Sequence, residues 1–168
     1  MRSRRADRGP GIAPGMMVTV RTGTPADRSY IESLAERTVM SSVASFRRPP
    51  ELMVRLALTR LLEIVEDQSH VSLIVECDGE AAGFVLMLDD LPDEVTSTPQ
   101  GFIAYMAVEP AHQHKGVGKV LLQAAERKAK DRGLPYMALM VTEENTAALA
   151  LYEGAGYITE RRLMCKAL

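Results

Sequence analysis

The chain has 168 residues, of which 46% are hydrophobic and 25% are charged, with a formal net charge of −2. This length suits one domain with a sizeable core, and the composition is ordinary for a globular protein. No apolar run is long enough to cross a membrane, and the net charge argues against a general nucleic-acid binder. Cys77 and Cys165 lie far apart without ligand-spaced neighbours, so the sequence predicts no metal site. Few cysteines and no export signal predict a cytoplasmic protein.

The beginning of the chain differs from the rest. Its first 15 residues are rich in arginine, glycine and proline and show no hydrophobic periodicity. Such a segment cannot bury enough apolar surface to order itself. We therefore predict a disordered tail at residues 1–16 and a single folded domain at residues 17–168. The alternative is that the native start is Met16 or Met17 and that the preceding residues are an upstream extension.

The first hundred residues predict a strand, two helices and a hairpin. Thr24 is a candidate helix N-cap, with Pro25 at the first helical position. Asp78-Gly79 joins two β-rich runs and is a strong signal for a two-residue hairpin. The polar loop 89–100 is rich in carboxylates, and it is either a solvated loop or a negative rim that attracts a cationic amine. The predicted elements are a strand at 17–21, a helix from Pro25 to about Val39, a helix from Pro50 or Glu51 to about Glu66, and strands at 71–77 and 80–88.

The central stretch is an apolar strand followed by a tight basic loop and a helix. Residues 101–108 are apolar and uncharged, as expected for a strand buried on both faces, and Pro110 ends it. From Val117 onward, apolar residues recur at helical spacing on one face until Gly133 closes the helix. The remaining predicted elements are a buried strand at 136–141, a short helix capped by Asn145 or Thr146, and a last strand or strands within 157–166.

The loop between this strand and this helix has the chemistry of an anion-binding site. The first N–H groups of a helix have no intrahelical partner, and the helix dipole places partial positive charge there. Gly116 and Gly118 lack side chains, so a phosphate can approach the backbone closely. Because several donors converge, a diphosphate would fit better than a monophosphate. The basic residues around the turn are His112, His114, Lys115 and Lys119.

Two common nucleotide-binding patterns do not match this loop. The spacing is wrong for a P-loop, and a dinucleotide loop would need a third glycine after Gly118. The pattern Gln113-x-x-Gly116-x-Gly118 after a buried strand instead resembles the acyl-CoA loop of the GNAT superfamily of N-acetyltransferases. A downstream segment resembles the second cofactor-side segment of that superfamily, and it runs Asn145-x-x-Ala148-x-x-Leu151-Tyr152-Glu153-x-x-Gly156-Tyr157.

The resemblance covers about residues 18–168 and implies a single α/β (α+β) domain. In this fold, helices flank a mixed, mostly antiparallel sheet, and two neighbouring parallel strands splay apart. The pantetheine arm of the cofactor lies in the gap between them. By resemblance, the splayed strands are 101–108 and 136–141. The implied activity is transfer of an acetyl group from acetyl-CoA to a primary amine by direct attack, without a metal.

The resemblance also assigns the site residues. Met106 and Val108, with Ala107 between them, would offer backbone groups to the pantetheine amides and the thioester carbonyl, with the N–H of Met106 as oxyanion donor. Tyr152 is the expected general acid, because a phenol of pKa roughly 10 can protonate a thiolate of pKa about 8.5. The remaining expected cofactor residues are Gln113, His114, Lys115, Gly116, Val117, Gly118 and Lys119 in the loop and Asn145 downstream.

The sequence does not specify the general base. Histone-type members of the superfamily carry a glutamate early in the central strand, and Phe102 occupies that position here. Glu109 follows the strand but begins a turn that faces the cofactor loop. Asp93 or Glu94 could reach in from the preceding loop, or a chain of water molecules could serve.

Three functions are therefore open. The first is an N-acetyltransferase whose acceptor is a small-molecule amine or a protein N-terminus. The second is a non-catalytic acyl-CoA-binding regulatory module of the same fold, which the missing strand carboxylate favours. The third is a nucleotide-binding protein with a chance glycine loop. The resemblance also allows a homodimer, although no residue specifies its interface.

Overall fold

The computed structural model describes residues 12–168, so most of the predicted tail, residues 1–11, lies outside the described part of the chain. Met16 packs against the core on one face of the sheet. The N–H of Met17 donates to Asp78 Oδ1 at 3.0 Å, and the N–H of Asp78 donates to the Met17 carbonyl at 2.8 Å. None of the helices in the described residues combines the length and apolar character that crossing a membrane requires.

One five-stranded sheet forms the centre of the domain, and its strands lie side by side in chain order. The first three strand pairs are antiparallel, whereas the last pair is parallel. This arrangement confirms the predicted mixed, mostly antiparallel sheet and its one parallel pair. The strands are β1 (Val18–Thr22), β2 (His70–Cys77), β3 (Glu80–Leu88), β4 (Gln100–Val108) and β5 (Tyr136–Leu139).

Helices cover both faces of this sheet. They are α1 (Arg28–Thr38), α2 (Glu51–Glu66), α3 (Val117–Asp131) and α4 (Thr146–Gly154). On one face, α1 and α2 enclose a core that includes Leu34 and Phe84, both fully buried. On the other face, α3 packs a second core that includes Val85 and Leu121, also fully buried. Burial of each such side chain contributes about 1.5–3 kcal/mol, so both layers are held mainly by apolar contact.

A buried carboxylate fixes the start of α1 against β1. Thr24 and Pro25 begin a short 3₁₀ turn that leads into α1, as the sequence predicted. The Asp27 side chain accepts hydrogen bonds from two Arg21 nitrogens at 2.7 and 2.8 Å and from the Thr24 N–H at 2.8 Å. The Arg21 guanidinium holds the pKa of Asp27 well below its ordinary value of 3.8, despite its burial. Asp27 therefore stays ionised and links strand to helix.

This pair predicts a pH dependence of stability. Since the pKa of Asp27 is lower in the folded than in the unfolded chain, its contribution is complete above about pH 4 and is lost as the pH falls. We expect Asp27→Asn to lower the free energy of unfolding by about 2 kcal/mol at pH 7 and progressively less below pH 4, measured by urea denaturation. The exposed control Asp90→Asn should change stability by about 0.5 kcal/mol or less. If the free energies of unfolding of the wild type and Asp27→Asn differed by the same amount at every pH from 7 to 2, this assignment would be contradicted.

β4 carries one more residue than β3 in the middle of their ladder. Leu86 pairs with Tyr105, but the next residue, Met87, pairs with Ile103, so Ala104 forms a β-bulge. A bulge bends its strand and increases the local twist. The parallel pairing with β5 ends at Ile103, directly before the bulge, while β4 continues beyond it. The two parallel strands therefore separate over the second half of β4, in agreement with the predicted splay.

The prediction of a last strand within 157–166 is wrong. The structure has no strand between α4 and residue 168. β5 is only four residues long, shorter than the predicted 136–141, so its outer edge offers little backbone for a further strand to pair with. Instead, Arg161 Nη2 lies 2.5 Å from Asp93 Oδ2 and ties this segment to the β3–β4 loop. The large apolar side chains of the segment are almost fully exposed, and they are Ile158, Leu163, Met164 and Leu168.

Candidate functional site

The site is built on the free edge of β4 beyond the bulge. The Glu109 N–H donates to the Ala82 carbonyl of β3 at 2.8 Å. Residues of an antiparallel ladder alternate between hydrogen-bonded and non-hydrogen-bonded pairs, so Ala107 also bonds to β3 while Met106 and Val108 turn their backbone groups away. These groups face the space that β5 has left. We call this space, between residues 104–108 of β4 and the end of β5, the β4–β5 gap.

The side chain of Ala107 lies on the opposite face of the sheet from those of Met106 and Val108. Its side chain is buried in the core under α1 and α2, and its backbone belongs to the β3 ladder. The side chains of Met106 and Val108 pack towards α3. Of the three predicted strand residues, Met106 and Val108 thus expose polar backbone groups to the gap, and Ala107 lies between them as a spacer.

Gln113 fastens the following loop to the end of β4. Its side-chain Nε2 donates to the Val108 carbonyl at 3.0 Å. Between them, a short 3₁₀ turn at Pro110–His112 reverses the chain. One polar group of the gap is therefore occupied by the loop itself, and the loop is held at the mouth of the gap.

The loop then enters α3 through two left-handed residues. His114 has a φ of 58° and Gly116 has a φ of 80°, a region that favours glycine because it has no Cβ. Gly116 is the N-cap of α3, and the side chain of Val117 is fully buried, so Val117 could meet a ligand only through its backbone.

The backbone amides of this loop point to an anion site. Among the described residues, positions 114–119 donate no backbone hydrogen bond, whereas the N–H of Val120 already bonds to the Gly116 carbonyl at 3.2 Å. The helix dipole adds partial positive charge at the same point. His114, Lys115 and Lys119 are exposed around it. Unpaired donors and nearby cations together favour a group with several negatively charged oxygens.

Gly118 connects this anion site to the gap. A Cβ at Gly118 would lie 3.4 Å from Leu151 Cδ2 and 3.8 Å from both Met106 Cε and Val108 Cγ2. The first turn of α3 therefore approaches both β4 and α4 closely. The loop, the strand and α4 meet at one place, although more than thirty residues separate Gly118 from Leu151 in the chain.

α4 brings Asn145 and Tyr152 to the same region. Asn145 caps the helix, with its Oδ1 accepting from the Ala148 N–H at 3.2 Å. Tyr152 packs against the α3-side core, and its ring centroid lies 5.9 Å from that of Tyr157. Burial raises the pKa of the Tyr152 hydroxyl, so this phenol stays protonated at neutral pH. Within residues 12–168 no group donates to or accepts from its hydroxyl, which remains available to a ligand.

The model of the acetyltransferase (GNAT) family matches residues 37–157, more than half of the chain. The chain belongs to this family. The family predicted from the glycine loop and the α4 segment is confirmed.

Individual relatives agree with the GNAT assignment. Mycothiol acetyltransferase from Thermobifida fusca is 36% identical over 81 residues, which cover 47% of this chain and 25% of that protein. The chain spans less than half the length of the mycothiol acetyltransferases that it matches. A structure from Pyrococcus furiosus, described as a candidate acetyl transferase, has a TM-score of 0.78 and 24% identity, covering 90% of this chain and 100% of that chain. An aminoglycoside N-acetyltransferase in complex with CoA has a TM-score of 0.66 and 21% identity, covering 94% and 99%. These two structures share the fold.

The carboxylates considered as bases of this GNAT domain are engaged elsewhere. Arg37 of α1 donates two hydrogen bonds of 2.8 Å to Glu109 and lowers its pKa. Thr96 donates backbone and side-chain hydrogen bonds to Asp93, which with Arg161 lower its pKa well below the ordinary range. A carboxylate with a depressed pKa accepts a proton poorly at neutral pH. No local sequence signal revealed these pairs, because 72 residues separate Arg37 from Glu109 and 68 separate Asp93 from Arg161.

The loop assignment is testable with two glutamate substitutions. In Gly116→Glu and Gly118→Glu, the new carboxylate would lie where the negatively charged diphosphate of acetyl-CoA is expected to bind. Placing two negative charges together costs several kcal/mol. We expect affinity for acetyl-CoA to fall about 100-fold or more, measured by calorimetric titration.

Gly133→Glu is the matched control for these variants. Gly133 has a φ of 71° just after the end of α3, so Gly133→Glu adds the same charge and a similar backbone strain as Gly116→Glu, at the opposite end of this 15-residue helix from the loop. It should bind acetyl-CoA as the wild type does. Normal binding by Gly116→Glu and Gly118→Glu would show that the diphosphate site is elsewhere.

Proposed function

We propose that this protein transfers the acetyl group of acetyl-CoA to a primary amine of a small molecule or of a protein N-terminus. The observation that carries the proposal is the β4–β5 gap with the free N–H groups of Met106 and Val108 and the free Met106 carbonyl, opening beside the unpaired amides of residues 114–119. A pantetheine arm carries amides that can pair with a strand edge, and it is joined to a diphosphate. Membership of a family of acetyltransferases supports the same cosubstrate.

The proposed contacts follow the sequence prediction. Met106 and Val108, with Ala107 between them, and Asn145 would hold the pantetheine side. Gln113 would keep the loop in place, and the backbone of His114, Lys115, Gly116, Val117, Gly118 and Lys119 would hold the diphosphate. No part of this arrangement needs a metal ion.

The chemistry is direct attack of the amine on the thioester. The amine nitrogen forms a bond to the carbonyl carbon, the carbonyl oxygen gains negative charge, and the carbon–sulfur bond then breaks. The N–H of Met106 would stabilise the oxygen, and Tyr152 would donate its proton to the departing thiolate. The proton lost by the amine would leave through water, since Glu109 and Asp93 are both ion-paired. Most of the rate enhancement would then come from alignment of the two reactants.

The acceptor is proposed only as a class. Relatives are named for mycothiol and for aminoglycosides, which supports a small-molecule amine. A protein N-terminus is retained as an alternative acceptor. A cytoplasmic location and a homodimer also remain parts of the proposal.

A second candidate function has one observation in its favour. The carboxylates considered as bases are either ion-paired or, at the strand position of Phe102, replaced by a hydrocarbon ring. An acyl-CoA-binding regulatory module of the same fold would need no base. Calorimetric titration with acetyl-CoA, followed by detection of free thiol with a panel of amines, separates the two functions. Binding with thiol release supports the enzyme, and binding without release from any amine supports the module.

Substitution of Tyr152 tests the mechanism. We expect Tyr152→Phe to bind acetyl-CoA normally but to reduce the rate of thiol release about 100-fold, because general acid catalysis typically contributes about 10²–10⁴. Tyr157→Phe is the matched control, since its ring contacts that of Tyr152 while its own hydroxyl is buried without a partner in the described residues. Equal rates for Tyr152→Phe and the wild type would exclude Tyr152 as the acid.

A further inference from the structure

A cavity separate from the β4–β5 gap opens on the α1 side of the proposed site. Its volume is about 300 Å³, at the lower end of the range for small-molecule pockets. One wall is formed by residues that come directly after α1 in the chain, and the other is formed by the start of α4. The lining residues are Met40, Ser41, Val43, Glu144, Asn145, Thr146 and Ala147.

Four hydrogen bonds from three donor groups hold the two walls together. Thr142 Oγ1 donates to the Ser42 carbonyl at 2.7 Å. Glu144 accepts from the Ser45 N–H at 3.2 Å and from the Ser45 Oγ at 3.0 Å. About a hundred residues separate these partners in the chain, so the cavity is a product of the fold.

The cavity adjoins the site assigned to acetyl-CoA. Asn145 lines it and also caps α4, the helix that carries Tyr152. On the other wall, Met40 lies two residues after Thr38, whose Oγ1 is 3.1 Å from the Tyr105 hydroxyl of β4. The end of α1 is thereby fixed against the splayed half of β4. A molecule in the cavity would lie beside the place where the thioester is proposed to react.

Glu144 gives this cavity a negative charge that no cation of the described residues balances. In residues 12–168, no lysine or arginine nitrogen lies within 4.0 Å of its carboxylate. By contrast, Asp27, Glu109 and Asp93 each have an arginine partner at 2.5–2.8 Å. Within the described part of the chain, its hydrogen-bond donors are the neutral N–H and hydroxyl of Ser45, so its charge is available to a ligand.

We propose that Glu144 binds a second, non-reacting cationic group of the acceptor, so that the acceptor carries at least two amines. The reacting nitrogen must be neutral to attack, and a carboxylate beside it would stabilise its protonated form. Glu144 is therefore suited to a cation that keeps its proton and positions the other amine at the thioester. This inference rests on the proposed acetyltransferase function and specifies its acceptor.

Matched acceptors and matched variants test the inference. The acceptors are 1,4-diaminobutane and butylamine, which differ in one terminal amine. The variants are Glu144→Gln, whose amide oxygen can still accept from Ser45, and Glu143→Gln, an exposed neighbour outside the cavity lining. For the wild type and Glu143→Gln, we expect a KM for the diamine at least about fivefold below that for the monoamine. Glu144→Gln should have similar KM values for the two amines, and its KM for the diamine should no longer rise with added salt. Its midpoint of thermal unfolding should equal that of the wild type.

Calorimetric titration of the diamine into the protein with bound CoA gives a readout independent of turnover. Binding of the diamine that Glu144→Gln abolishes would support the cation site even if no amine released thiol, in which case the acetyltransferase proposal alone would fail. Equal diamine binding by wild type and Glu144→Gln, or equal KM values for the two amines, would overturn the assignment of Glu144.

Discussion

The bulge at Ala104 is the constraint on which the site depends. In an unbroken parallel ladder, β5 would pair with the backbone groups of Met106 and Val108. The extra residue turns β4 away just where that ladder ends at Ile103, and those groups stay free apart from the Val108 carbonyl, which accepts from Gln113. Unpaired backbone groups are costly when they are buried, so such an edge must remain open to solvent or meet a ligand with matching amides. An irregularity of the sheet thereby creates a place for an extended polar chain.

Close packing then gathers the other parts of the site around this edge. Gly118 has no side chain between its backbone and Leu151, Met106 and Val108, so the start of α3 approaches both β4 and α4 closely. Gln113 fixes the loop to the carbonyl of Val108. The loop amides, the strand edge and Tyr152 belong to elements that share one apolar core, and this core fixes them relative to one another.

The distribution of charge divides the carboxylates into two kinds. Glu109 and Asp93 are paired with arginines from distant segments, and these contacts fasten α1 and the chain after α4 to the sheet. They serve the fold, and their depressed pKa values make them weak bases. Glu144 instead keeps its charge at the edge of an open cavity. On the proposed function, the site aligns a cationic acceptor with a thioester and does not remove a proton with a strong base.

The sequence by itself determined the sheet, its parallel pair, the helix that begins at the glycine loop, and the family. Apolar periodicity with proline and glycine punctuation predicted the strands of the sheet and the helix, and the spacing of Gln113, Gly116 and Gly118 carried the resemblance to the family. That resemblance in turn implied the mixed sheet and its parallel pair. Only the tertiary structure decided the register shift at Ala104, the absence of a strand after α4, and which carboxylates have arginine partners. Each of these depends on contacts between residues far apart in the chain, where the available edge or partner, and not the local pattern, sets the lowest free energy.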